Sequence, residues 1–177
     1  QSQTATVFSC NTQQEAAAMK FKSIAATAIS VFGAAIFLDS LRYKFTDHPK
    51  TQVIFGALDG WAGSLGLPGL FAHTGLFSQY VIGSAELLAS TLLIVGLLPR
   101  LQRLNALGAL IAFAVMAGAV SFHLFTPLGI DPNKDGGGLF VAAATLLAGS
   151  VVLIGLRMPD ILGLLGDLRR VFWLMRP

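Results

Sequence analysis

Four long runs of apolar residues divide the chain, and polar or glycine-rich segments separate them. The runs cover residues 21–41, 76–98, 104–126 and 138–156. At about 1.5 Å of rise per residue, a helix over any of them reaches roughly 28 to 35 Å, enough to cross a hydrocarbon core about 30 Å thick. No run shows the alternation of a membrane β-barrel strand. The pattern predicts an all-α fold, an integral membrane bundle of four transmembrane helices in one domain over residues 20–157.

The segment before the first run, residues 1–19, is polar, and we expect it to be a loosely ordered tail. It ends at Met19, and Lys20 and Lys22 then precede the apolar run. This order is typical of a translation start and also of a secretory signal. We expect a retained helix, because the apolar run is long and no small-x-small cleavage site stands before the following loop.

The predicted outer loop, residues 42–75, is too long for a simple turn. Within it, Ile54, Phe55, Leu58 and Trp61 recur at helical spacing after Pro49. The spacing predicts a short helix. Two interpretations remain open: a helix lying in the membrane interface with its tryptophan at headgroup depth, or a plain surface helix under the loop.

The last segment, residues 158–177, carries an apolar stripe with charged residues off it. The stripe consists of Ile161, Leu164, Leu165, Leu168, Phe172 and Met175, and the charged residues are Asp167, Arg169, Arg170 and Arg176. Such a segment is too charged to span a membrane. It predicts a cytoplasmic amphipathic helix in the interface, with docking on a partner subunit as the alternative.

Composition supports a membrane protein. Apolar residues make up 54% of the chain and charged residues 12%, about half of the ~25% charged residues that soluble domains carry. Cys10 is the only cysteine, so no disulfide forms within the chain.

The basic residues indicate an orientation. With the N-terminus in the cytoplasm, the cytoplasmic side receives Lys20, Lys22, Arg100, Arg103, Arg157, Arg169, Arg170 and Arg176, and the other side receives Arg42, Lys44, Lys50 and Lys134. This imbalance predicts a multi-pass protein with both termini in the cytoplasm. The net charge of +3 reflects the same pattern and favours attraction to anionic lipid. It gives no reason to expect nucleic acid as a partner.

One carboxylate, Glu86, stands in the middle of the second run. Gln79, Glu86 and Ser90 are separated by seven and four residues, which places all three within about 20° of one line along a helix, so one side of this helix is polar. On the third run, a face of small residues ends at His123. We expect a polar cavity in the outer half of the bundle, floored by Glu86, with Asp39, Arg42 and His123 near it.

Alternatives accompany both groups. Glu86 is either part of a ligand, proton or quinone site, or a structural partner of Arg42 or of backbone groups. His123 is either part of that site or an interfacial histidine with its hydrogen bonds satisfied.

The loop DPNKDGG matches the opening of an EF-hand calcium loop through Asp131, Asn133 and Asp135. The twelfth position is Ala142, so the bidentate glutamate of that motif is missing. We therefore predict an ordinary turn and no metal site. No catalytic motif is found in the sequence. We therefore do not expect the isolated chain to be an enzyme.

Three segments together resemble the DoxX family of bacterial four-helix membrane proteins. They are DSLRYKF, GSAELLASTLLIVGLLPRL and AVSFH, and the resemblance covers residues 20–157. It implies a bacterial inner-membrane location and a shared intramembrane set at Arg42, Glu86 and His123. Some family members are associated with membrane oxidoreductase assemblies or quinone-linked sulfur oxidation.

Two functions follow from this resemblance and from the residues. The first is an integral subunit of a larger membrane oxidoreductase or energy-converting complex, in which Glu86 contacts a quinone or relays protons. The second is a non-catalytic accessory protein that packs against other membrane subunits or lipid. No intrinsic cofactor is expected, and a quinone or a lipid is the candidate ligand. A small-solute carrier is disfavoured because no inverted repeat or broken helix is evident.

Overall fold

The computed structural model describes residues 2–134 and 136–174, and these residues form six α-helices without a β-strand. The helices are α1 (Ser2–Lys44), α2 (Pro49–Ser64), α3 (Gln79–Val95), α4 (Gln102–Phe125), α5 (Gly138–Leu156) and α6 (Met158–Leu174). The prediction of an all-α protein is confirmed.

Within the described part of the chain, three helices are long and apolar enough to cross a membrane: the part of α1 over Gln13–Lys44, α4 and α5. Helix α3 is apolar but has 17 residues, where the sequence predicted a run over 76–98. It begins late because the Ser78 hydroxyl accepts a hydrogen bond from Val81 N, which caps the helix at Gln79. It ends where the chain turns at Gly96.

The expectation of a loosely ordered tail over residues 1–19 is wrong for the described residues, because α1 already begins at Ser2. The sequence between Ser2 and Phe32 contains neither glycine nor proline, so no residue breaks the helix before the first apolar run. Side chains 13–24 are all exposed. This part of α1 projects beyond the packed helices.

The packed part of the molecule contains α1, α3, α4 and α5. Helix α1 contacts α3 and α5, and α4 likewise contacts α3 and α5, so each of the four helices has two principal neighbours. The core between them is built mostly from alanine and leucine, with Phe37 as its largest buried side chain: Ala26, Phe37, Ala89, Leu93, Ala109, Ala112, Met116, Ala143, Leu146 and Leu153. Small side chains let these helices approach closely.

Helices α3 and α4 come closest where glycines stand. A Cβ atom added at Gly108 would lie 2.8 Å from Leu93 N, and one added at Gly96 would collide with the backbone of Asn105. The α3–α4 connection and the start of α4 therefore depend on the absence of these side chains.

Replacing Gly96 by alanine is expected to lower the free energy of unfolding by about 1 to 3 kcal/mol, because α4 must shift away from α3. The matched control is Gly118→Ala in α4, where an added Cβ meets nothing within 4 Å. The control should be neutral or slightly stabilising, since alanine favours helix. Denaturant titration in mixed micelles, followed by circular dichroism, compares the two, and equal effects would contradict the close approach.

Helix α2 covers one end of these helices and packs beneath the loop 65–78. Leu58 of α2 is buried in a cluster with Ala62, Phe71 and Leu128, and the Asp59 carboxylate accepts a hydrogen bond from Phe71 N at 3.0 Å. The predicted apolar face of α2 is confirmed as a packed face. Of the two interpretations, the structure shows the helix under the loop, and its depth in a membrane stays a prediction.

Helix α6 starts immediately after Arg157, the residue that ends α5. Arg103 of α4 pairs with Asp167 at 2.6 Å. The predicted apolar stripe is divided: Ile161 and Leu164 are partly buried, whereas Leu165 and Leu168 are exposed. The side chains of Phe172, Met175 and Arg176 lie outside the described residues.

Candidate functional site

Glu86 lies on the face of α3 that contacts α1, and its side chain is 4% exposed. Ser40 Oγ donates a hydrogen bond to Oε2 at 2.5 Å. Lys44 Nζ donates to Oε1 at 3.0 Å and lies 3.0 Å from Oε2. Both carboxylate oxygens of Glu86 are therefore bound by groups of this chain.

Helix α1 supplies both partners because Ser40 and Lys44 are four residues apart and lie on one face. Lys44 Nζ also donates to Ser40 Oγ at 3.0 Å. The three side chains form a closed triangle of hydrogen bonds. Since a buried carboxylate is costly unless paired and hydrogen-bonded, this triangle explains why an apolar helix tolerates Glu86.

The interpretation that placed Arg42 and Asp39 beside Glu86 is wrong. These two residues pair with each other at 2.8 Å, with side chains 66% and 57% exposed. Arg42 is two residues before Lys44, about 200° around the helix, so it points away when Lys44 points inward. Sequence reasoning missed Lys44, although its spacing of seven from the buried Phe37 was a signal.

Gln79 is buried at the start of α3 and joins three segments. Its side-chain nitrogen donates to Lys44 O at 2.8 Å and to Asp47 Oδ1 at 2.5 Å. Its side-chain oxygen accepts from Gln52 of α2 at 2.8 Å. Gln79 therefore holds the end of α1 against α2 and α3, and its side-chain hydrogen bonds go to Lys44 O, Asp47 and Gln52, not to the Glu86 carboxylate.

Ser90 is also buried, but its hydroxyl donates to the backbone oxygen of Glu86 at 2.7 Å. This is a bond within one turn of α3, which satisfies a hydroxyl in apolar surroundings. Ser90 thus shares the face of Glu86 without binding its carboxylate.

His123 belongs to a different group from Glu86. Its Nδ1 lies 2.6 Å from Gly129 O, and because a carbonyl oxygen only accepts, Nδ1 is the donor. Its ring lies edge-on to Phe140, with centroids 5.7 Å apart. His123 therefore fixes the α4–α5 connection, in agreement with the interpretation of a satisfied histidine.

The expected cavity floored by Glu86 is not found at that position, because Lys44 and Ser40 fill the space. A small cavity of about 120 Å³ lies nearer α2. Its lining includes Gln52, His73 and Gln79 but not Glu86.

A second buried polar cluster lies at the opposite end of the packed helices. Asn105 is fully buried, and its side-chain nitrogen donates to Ser30 Oγ at 2.9 Å and to Leu93 O at 2.8 Å. Its side-chain oxygen accepts from Arg157 Nε at 2.9 Å. One amide thus ties α1, α3 and α4 to the end of α5. Sequence analysis placed no site here.

The calcium-like loop shows the bonding of a turn. Asp131 Oδ2 accepts a hydrogen bond from Gly136 N at 3.1 Å. Asp135 lies outside the described residues, so the proposed ligand set with Asn133 is not described as a whole. Among the residues described, no three His, Cys, Asp or Glu side chains are grouped so that they could hold a metal ion.

Two buried polar clusters hold the helices together. The first tie consists of Glu86, Ser40 and Lys44, and the second consists of Asn105, Ser30 and Arg157. Each buried polar side chain among them meets a partner within the chain, and the charged pair in the first tie is neutral as a unit. Comparison of the chain with protein-family profiles, with curated proteins and with solved structures gave no match.

Proposed function

We propose that the chain is a DoxX-like integral membrane protein of four spans that serves as a non-catalytic component of a larger membrane assembly. The observation that carries this proposal is the complete pairing of Glu86 by Lys44 and Ser40. Each oxygen of this carboxylate has a donor from its own chain, so the residue fastens two helices together without an external ligand.

The fourth span in this proposal is α3. Its 17 residues reach about 25 Å, somewhat short of a hydrocarbon core about 30 Å thick. Local thinning of the bilayer and polar flanking residues accommodate such a difference at modest cost. Because α3 contacts both α1 and α4, which are themselves long enough to span, it shares their surroundings.

The projecting part of α1 is a second argument that the chain belongs to a larger assembly. Residues 13–24 are exposed and helical although no other part of the described chain buries them. A helix without tertiary contacts is marginal in water, since most helical stability comes from packing. A second protein at this end, which we place in the cytoplasm from the distribution of basic residues, would supply that packing.

A second candidate function keeps the chain in an oxidoreductase assembly as a proton-carrying subunit. The observation in its favour is the direct contact of two ionisable groups, Lys44 and Glu86, where the lysine side chain retains 16% exposure. A proton entering at Lys44 would reach Glu86 without an intervening water. In this version the quinone and the electron carriers belong to partner subunits.

Glu86→Gln distinguishes the two functions in the native assembly, purified in gentle detergent through a tag on this chain. If the chain is an accessory component, the variant retains its co-purifying proteins and turnover of the assembly stays within about twofold of the parent, as expected when no transition-state interaction is removed. Asp39→Asn, which neutralises an exposed carboxylate of α1 outside the projecting part, is the matched control. A large loss of turnover with intact composition would favour the proton carrier, and purification as a stable monomer would contradict the accessory role.

A further inference from the structure

Helix α6 presents an apolar surface that the rest of the described chain leaves open. Leu162, Leu165 and Leu168 are 60%, 52% and 60% exposed. Together with Gly166 and Arg169 they line a shallow, open groove along one side of α6. An exposed row of leucines is typical of a surface that binds a protein or a membrane.

The rotation of α6 is fixed by contacts on its other side. Arg103 of α4 pairs with Asp167 at 2.6 Å, and the guanidinium of Arg103 lies against Gly163. Arg157 lies 3.9 Å from Asp160. The acidic residues of α6 therefore face the packed helices, and the leucine groove faces away from them.

The position of α6 along the molecule is fixed by α5. No loop separates the two helices, since α5 ends at Leu156 and α6 begins at Met158. If α5 crosses the membrane, α6 starts at the bilayer surface. A groove of leucines at that depth meets the boundary between acyl chains and headgroups.

The charge of this end is basic. Arg169 and Arg170 are exposed on α6. Lys20 and Lys22, which precede Ser30 on α1, and Arg100, which precedes Asn105, are also exposed, and the bonds of Asn105 to Ser30 and Arg157 bring these segments to the same end. The acids of α6, Asp160 and Asp167, are each close to an arginine. The surface beside the groove thus complements a negatively charged leaflet.

We propose that the α6 groove binds anionic phospholipid, with acyl chain against Leu162, Leu165 and Leu168 and the lipid phosphate on Arg169 and Arg170. This inference rests on the proposed membrane spans and adds the lipid class and the residues that recognise it. Arginine suits the role because its planar guanidinium can donate two hydrogen bonds to one phosphate.

The test uses the full chain reconstituted in bilayers of phosphatidylcholine, with and without phosphatidylglycerol. The sequence has two tryptophans, so Trp61→Phe leaves Trp173 of α6 as the only indole reporter. Brominated acyl chains should quench Trp173 fluorescence, more strongly when phosphatidylglycerol is present. Arg169→Gln with Arg170→Gln should remove most of that increase, since each arginine near an anionic surface changes binding by roughly fivefold. Lys134→Gln, which neutralises an exposed lysine at the opposite end, should leave it unchanged.

Three results would overturn the assignment of an anionic phospholipid. Quenching of Trp173 by aqueous iodide but not by brominated lipid would mean that the groove stays in water, ready for a protein partner. Protection from both quenchers would mean that a second copy of the chain covers it. Equal quenching in both lipids would contradict the anionic preference.

A separate labelling experiment tests the spans on which this inference rests. Two variants are made in a Cys10→Ser background, Thr74→Cys before α3 and Arg100→Cys after it. The two cysteines should react with a membrane-impermeant maleimide from opposite sides of the bilayer. Labelling from the same side would contradict the four-span proposal itself. Opposite labelling without lipid quenching of Trp173 would overturn only the role of α6.

Discussion

Replacing Lys44 by methionine is expected to lower the free energy of unfolding by about 3 kcal/mol, because it leaves a buried carboxylate without its cation. Methionine retains an unbranched apolar side chain and removes the ammonium group. Ser40 alone then donates to the Glu86 carboxylate. Denaturant titration in mixed micelles at neutral pH measures the loss.

The reverse substitution, Glu86→Gln, should cost less, about 1 to 2 kcal/mol. The Lys44 side chain is 16% exposed against 4% for Glu86, and a lysine can extend its charged end toward water. The double variant, Lys44→Met with Glu86→Gln, contains no unpaired charge. It should be more stable than Lys44→Met alone, and the difference from additivity measures the coupling of the pair.

Arg42→Met is the matched control, since it removes a cation two residues away in the same helix. Arg42 pairs with Asp39 on the surface, and exposed pairs contribute about 0 to 1 kcal/mol. A loss for Arg42→Met as large as that for Lys44→Met would contradict the selective pairing of Glu86 with Lys44.

The second large effect is expected at the opposite end of the packed helices. Asn105→Ala should lower the free energy of unfolding by about 3 kcal/mol, because it removes partners from Ser30, Leu93 O and Arg157 in a site closed to water. Arg157 suffers most, since hydrogen bonds of charged groups contribute about 1.5 to 3 kcal/mol each. The same titration measures this effect.

Gln102→Ala, an exposed position in the first turn of α4, is the control and should be close to neutral. Asn105→Asp provides a finer comparison. It keeps an acceptor for Arg157 and loses both donors, so its cost should fall below that of Asn105→Ala. If aspartate proves more harmful than alanine, the bond with Arg157 is not the principal contribution of Asn105.

Much of the fold could be predicted from the sequence because apolar runs and helix boundaries are local properties. The run over 138–156 coincides with α5, and that over 104–126 differs from α4 by two residues at its start and one at its end. The run over 76–98 is longer than α3 because the apolar Leu76 and Phe77 precede the Ser78 cap, and Leu97 and Leu98 follow the turn at Gly96. Hydropathy alone does not distinguish an apolar loop from an apolar helix end.

The surroundings of Glu86 could not be predicted to the same degree. Its burial followed from its place in the apolar run, but its partner depended on the rotation of α1. Arg42 and Lys44 are chemically similar and two residues apart, so only the angular position of α1 selects between them. Asn105 lies in the predicted run over 104–126, yet its bond to Arg157 joins residues 52 apart in sequence and needs the full packing of α4 and α5.

Helix α1 is fastened at two levels, by Ser30 to Asn105 and by Ser40 and Lys44 to Glu86. Ser30 and Lys44 are fourteen residues apart, about 21 Å along the helix axis. If α1 moved along its axis by one turn, the hydrogen bonds at both levels would break. A rotation that kept one set of bonds would break the other set and leave a buried polar group without its partner. The helix therefore cannot act as a piston. A pull or a push on its projecting N-terminal part moves the whole packed unit together, so a partner bound there would hold this protein as an anchor in the membrane.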